Sequence, residues 1–138
     1  MDKILKLLFF LFLVMSFSCE DQTFIIKCSD CIENEPVAAQ LTAKLDSKYY
    51  YESLVEIWEG NLEDSIHVGS YPNYNSTFTQ EVALNKKYTL TATYYVGDNK
   101  YVTVDSATPR VKYDKSQCDN PCYYVYDKEC DLRLKYTK

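Results

Sequence analysis

From Val37 to the C-terminus the chain alternates apolar and polar residues with a period of two, the pattern of strands that bury one face. In "VAAQLTAKL" one face carries Val37, Ala39, Leu41, Ala43 and Leu45, and the other carries Ala38, Gln40, Thr42 and Lys44. "SLVEIWEG" turns Val55 and Ile57 inward and stops at Gly60-Asn61. "DSIHVGS" offers Ile66 and Val68 to the interior and leaves His67 outside. "STFTQEVAL" aligns Phe78, Val82 and Leu84, interrupted by Gln80, and "YTLTATYYV" aligns Tyr88, Leu90, Ala92, Tyr94 and Val96. A turn at "GDNK" leads into "YVTVDS", the run from Asp105 to Pro109 breaks the pattern, and "CYYVYDKECDLRLKY" reads as a last strand. About seven or eight strands at roughly 8–12-residue spacing predict an all-β fold. The expectation is a single antiparallel β-sandwich over residues 37–138.

Residues 81–106, "EVALNKKYTLTATYYVGDNKYVTVDS", resemble the late hairpins of prealbumin-like domains, a sandwich of the Ig-like kind. Such domains serve as accessory modules in carboxypeptidase-type and surface-adhesion proteins, so the resemblance implies a sandwich in an accessory role. The Lys–Asn isopeptide crosslink of the adhesion modules is not carried over, because Lys44 stands on the outward face of its strand.

The first 36 residues read differently. Lys3 and Lys6 precede the apolar block Leu7 to Met15, and the small residues Ser16 and Ser18 follow. A basic stretch, a short apolar block and a small-residue site make residues 1–18 a secretory signal peptide. A spanning helix needs roughly 20 apolar residues, more than this block offers. "SFSC" resembles the lipobox of bacterial lipoproteins, with Ser16 where the strict motif has Leu. The looser form, followed by acidic residues such as Glu20 and Asp21, is similar to surface lipoproteins of the Bacteroidetes type. That resemblance implies lipidation of Cys19, anchoring in the outer membrane and a domain facing the cell exterior. Residues 19–36 are then an acidic tether with a small strand from Phe24 to Lys27. Two or more acyl chains suffice as an anchor, at about 0.8 kcal/mol per buried methylene.

From Cys19 onward the chain holds 13 basic and 19 acidic residues, a net charge of −6. A phosphate backbone demands a basic patch, so the charge argues against nucleic acid as a partner. Headgroup electrostatics cannot assist the acyl anchor either, since anionic lipids attract polybasic segments.

Of the six cysteines, lipid would consume Cys19. Cys130 alternates in phase with Leu132, Leu134 and Tyr136, so it belongs to the apolar face as a buried thiol. The remaining four are Cys28 and Cys31 in "CSDC" and Cys118 and Cys122 in "CDNPC". An oxidising compartment favours disulfides joining the tether to the 118–122 turn. The alternative is a tetrathiolate zinc site at Cys28, Cys31, Cys118 and Cys122, with turns containing Asp30, Asn120 and Pro121 as knuckles. A thioredoxin-like role for "CSDC" lacks the βαβ pattern that such chemistry uses.

Catalytic chemistry finds little to work with. His67 is the only histidine and faces outward, so no histidine-rich metal set or second histidine acid–base group is available. The expectation is therefore a non-enzymatic protein without a cofactor. The fourteen tyrosines point elsewhere. Tyr49, Tyr50 and Tyr51 in "KYYYES", and Tyr71 and Tyr74 in "YPNYN", fall in expected connections. If each strand crosses the sandwich, these loops share one rim with the turn at 97–100. Aromatic faces beside Asn73, Asn75, Asp98 and Asn99 suit stacking on sugar rings or holding a protein, as tyrosine does in loop-built paratopes. A ligand-binding module for glycan or protein follows, with a purely structural subunit or stalk of an envelope or fimbrial-type assembly as the alternative. "DSI" at 64–66 and "DSA" at 105–107 resemble the Asp-Ser/Thr-apolar O-glycosylation acceptor of exported Bacteroidetes proteins.

Overall fold

The structure is a computed structural model and describes residues 26–46, 52–64 and 66–135. These form nine strands: β1 (Ala38–Lys44), β2 (Ser53–Glu59), β3 (Ile66–Asn73), β4 (Thr77–Ala83), β5 (Tyr88–Val96), β6 (Asn99–Ala107), β7 (Arg110–Asp114), β8 (Cys122–Tyr126) and β9 (Glu129–Asp131). One sheet runs β4-β1-β9, with β4 antiparallel and β9 parallel to β1. The second runs β3-β2-β5-β6 and is antiparallel throughout. β7 and β8 pair as a separate ribbon. The all-β sandwich expected from the alternation is what forms, with the ribbon as an appendage.

The core is the set of in-phase residues. Leu41, Ala43, Phe78, Val82, Cys130 and Leu132 come from the first sheet and its continuation. Val55, Ile57, Tyr88, Leu90, Ala92 and Tyr94 meet them from the second. Burying one such aliphatic side chain contributes roughly 1.5–3 kcal/mol, which makes the two-residue period binding on register: a one-residue slip would expose the whole set. Along one side the sheets are joined by polar contacts as well. The carbonyl of Leu132 accepts from Tyr94 Oη at 2.9 Å and from Thr103 Oγ1 at 2.7 Å, and the amide of Asp131 donates to Asp105 Oδ2 at 2.7 Å.

Three local expectations are corrected. The last strand is two, because Asp127 adopts a left-handed backbone (φ 51°) that ends β8, and the chain then joins β1 as β9. Asp tolerates that conformation better than most residues. The break after Asp105 is shorter than the sequence suggests: β6 continues to Ala107, and "RVKYD" re-enters as β7 after Thr108-Pro109. Ile66 and Val68 do not point into the core but are 55% and 46% exposed. They lie on an edge strand, and a register shift opposite Ile57/Trp58 leaves Val68 without a partner residue on β2. His67 is exposed as expected, but together with Ile66 and Val68 rather than opposite them, so the parity that placed it outside does not hold.

The tether is stapled down over its described part. Ile26 and Lys27 are not in a strand, Cys28–Asp30 form a single 3-10 turn, and Ile32 makes an isolated antiparallel bridge with Tyr123 of β8. Residues 1–25, including the expected signal peptide, Cys19 and the start of the expected tether strand, lie outside the described residues.

Candidate functional site

Strand register decides which loops meet. Ser53, the first residue of β2, pairs with Asn73 at the end of β3 and with Tyr94 near the end of β5. Lys44, ending β1, pairs with Thr77 at the start of β4, and the Leu45 amide donates to the Ser76 carbonyl at 2.8 Å. Asp46 and Glu52, just beyond the ends of β1 and β2, the 74–76 connector and the turn at Gly97-Asp98 therefore lie at one end of the sandwich. Ala38, Glu59, Tyr88 and Ala107 end their strands at the opposite pole. The tether reaches β1 there, and the β7–β8 ribbon leaves β6 there.

Two hydrogen bonds position the rim. Tyr94 reaches out of the core so that its hydroxyl accepts from the Asp46 amide at 3.2 Å while donating to Leu132, fixing the start of the first loop. Burial pushes the Tyr94 phenol above its ordinary range. Tyr74 is 71% exposed, and its hydroxyl bonds to the Glu52 carboxylate, which raises the Tyr74 pKa. That contact ties the 74–76 connector to the foot of the first loop. Asp98 is exposed beside Gly97, whose φ of 61° suits glycine at the tip of a two-residue hairpin turn. Tyr95, one pair below that turn, is 56% exposed on the outer face of its sheet.

Two expected rim residues face inward instead. Tyr71 belongs to β3, packs on the core and stacks on Phe78 with ring centroids 5.4 Å apart. Its ring lies across Gly69, where a Cβ would stand 2.6 Å from the Tyr71 hydroxyl. Asn73 is 8% exposed; its carbonyl accepts from Ser53 Oγ at 3.1 Å and its amide donates to the Asn75 carbonyl at 2.5 Å. The sequence segment "YPNYN" read as a loop is strand as far as Asn73, because β3 pairs with β2 to its end. Tyr49, Tyr50 and Tyr51 lie outside the described residues.

The cysteines sort as strand parity and compartment suggested. Cys28 is bonded to Cys118 and Cys31 to Cys122, across sequence separations of 90 and 91. Cys130 is a free, buried thiol. Burial pushes its pKa up to about 12, with help from the carboxylates of Asp105 and Asp127.

One cluster escaped the sequence reading. His67 Nε2 lies 3.0 Å from Ser70 Oγ, Ser70 Oγ donates to Glu56 Oε1 at 3.3 Å, and the His67 ring rests on Trp58 at 4.7 Å. The Glu56 carboxylate accepts from the serine and lies 3.9 Å from the same His67 Nε2, so it sits on the serine side of the imidazole. In a hydrolytic triad the carboxylate holds the far nitrogen of the imidazole and leaves the near one free as a base. The wiring here runs the other way. Only cross-strand pairing of β2 with β3 and the bulge between them assemble the group, which no spacing along the sequence announces.

Comparison of the chain with protein-family models, with curated proteins and with solved structures finds no match. Among the described residues no helix is long and apolar enough to cross a membrane.

Proposed function

We propose that this protein is a non-enzymatic lipoprotein of the outer cell surface that binds a glycan or a protein through the rim opposite its tether. One observation carries the reading. The sandwich has two distinct ends, with the tether joined at one pole and Asp46, Glu52, the 74–76 connector and the 97–98 turn at the other. With Cys19 acylated, that geometry aims the rim away from the bilayer. Exposed Tyr74 and Tyr95 with Asp98 and Asn99 supply flat aromatic faces and hydrogen-bonding groups, and the chain between Asp46 and Glu52 carries Tyr49, Tyr50 and Tyr51 in sequence. Tyrosine gives large contact area at low entropic cost, which suits recognition rather than turnover. A glycan array and a pull-down from cell envelopes, each repeated with Tyr50, Tyr51 and Tyr74 changed to Ala, test it. Binding that the triple variant loses supports the rim; binding that it retains in full excludes it.

A second reading is favoured by the β3 edge. Among the described strands β3 pairs only with β2; it runs eight residues and exposes Ile66 and Val68, features that template strand pairing with another chain. A purely structural subunit of an envelope or fimbrial-type assembly would use that edge. Whole-cell crosslinking from position 68 should then trap a neighbour, and trapping none counts against it.

A further inference from the structure

The sulfurs of Cys31, Cys118 and Cys122 lie within 4.8 Å of one another, and Cys28 Sγ is bonded to Cys118. Cys31 Sγ stands 3.4 Å from Cys118 Sγ, a member of the other bridge. All four therefore occupy one contiguous cluster rather than two separate staples. A tetrathiolate zinc site, with Zn–S near 2.3 Å, sets its sulfurs about 3.8 Å apart. The unbonded spacing of 3.4 Å between Cys31 and Cys118 is already close to that tetrahedron's edge. The supports are short turns: the 3-10 turn at Cys28–Asp30 and the bend at 115–120. The cluster lines an open cleft with Glu33, Asp119, Asn120 and Pro121, so solvent reaches it and two carboxylates at its mouth favour a dication.

We propose that, once both bridges are reduced, Cys28, Cys31, Cys118 and Cys122 bind one thiophilic divalent cation, zinc by ligand softness, which then staples the tether to the ribbon in place of the disulfides. Each disulfide takes two electrons and two protons from a dithiol, which is itself oxidised to a disulfide. The four resulting thiols release four protons as four S–Zn bonds form. Cys130 takes no part, because β9 holds it in the core.

The test uses the soluble chain from Glu20, fully reduced with a phosphine under anaerobic conditions and titrated with cobalt(II), then zinc. Saturation at one cobalt per chain, thiolate-to-cobalt absorption with tetrahedral ligand-field bands, and displacement by equimolar zinc support the proposal. Changes outside the ligand shell alone cost roughly 10–100-fold in metal affinity, so Ser at any of the four positions should weaken zinc binding at least about 100-fold. Cys130→Ser should leave it unchanged. No cobalt–thiolate bands, bands that persist in the four serine variants, loss with Cys130→Ser, or a reduced chain that stays unfolded by far-UV circular dichroism with stoichiometric zinc would each overturn it.

Discussion

The two disulfides close almost the same loop, with separations of 90 and 91 residues, and so cannot contribute independently. In the chain-entropy account, one bridge across such a loop stabilises by about 4.6 kcal/mol at 25 °C. With that bridge in place, the second closes only a ring of about eight residues, through the Cys28–Cys31 and Cys118–Cys122 segments. Its increment is about 2.5 kcal/mol on the same scale. Replacing either bridge by a pair of alanines should therefore cost about 2.5 kcal/mol, because its neighbour still holds the long loop. Replacing both should cost about 7 kcal/mol, more than the sum of the two, with a coupling of about 2 kcal/mol. Urea unfolding of the chain from Glu20, its two paired variants and the quadruple variant under oxidising conditions measures all four corners of the cycle. A loss near 4–5 kcal/mol for each bridge alone, or strict additivity, would refute the shared-loop reasoning.

Further outcomes follow from the core and its seams. Cys130 should resist alkylation in the native oxidised protein and be the one thiol labelled after denaturation without reductant, by peptide mapping. Its folded pKa of about 12 stands above the ordinary 9.0, so the stability it contributes is fully present below pH 9 and fades as pH rises towards 12, read by denaturant midpoints. Thr103→Val should cost about 1 kcal/mol, since the Leu132 carbonyl keeps Tyr94 as a donor, and Tyr94→Phe about 2 kcal/mol, since it also strips the Asp46 amide of its acceptor; the double variant should exceed their sum in the same assay. In acid, Asp131 is held low chiefly by the Arg133 guanidinium, Asp114 by the Ser116 and Gln117 amides and Glu129 by Lys44. Their contribution is present above the unfolded carboxyl range near pH 4 and lost below it; Arg133→Met should flatten that loss in an acid titration.

The sandwich itself was legible because burial and side-chain period are the same fact in a strand: Leu41, Ile57, Leu90 and Leu132 announce their faces by spacing alone. Cys130 was placed by the same parity, two residues before Leu132. What stayed hidden depends on partners distant in sequence. Ile66 and Val68 alternate like core residues, but nothing local tells an edge strand with a bulge from a central one. Tyr71 and Asn73 sit in a segment rich in turn-forming residues, yet pairing with β2 and the missing side chain of Gly69 draw them inward. The split at Asp127 rests on one backbone angle, and the His67–Ser70–Glu56 group on a cross-strand register. That the strand ends at Lys44, Ser53, Asn73, Thr77, Val96 and Asn99 share one pole was legible as topology, since strands that cross a sandwich alternate their ends.

The central claim is that the rim faces outward from a lipid-anchored cell surface. A short epitope inserted between Gly97 and Asp98, at the tip of the β5–β6 turn, reads it on intact cells. The account predicts antibody staining without permeabilisation, and its loss from the cell surface when Cys19 is changed to Ala. Staining that appears only after permeabilisation, or that persists on cells carrying Cys19→Ala, would contradict it.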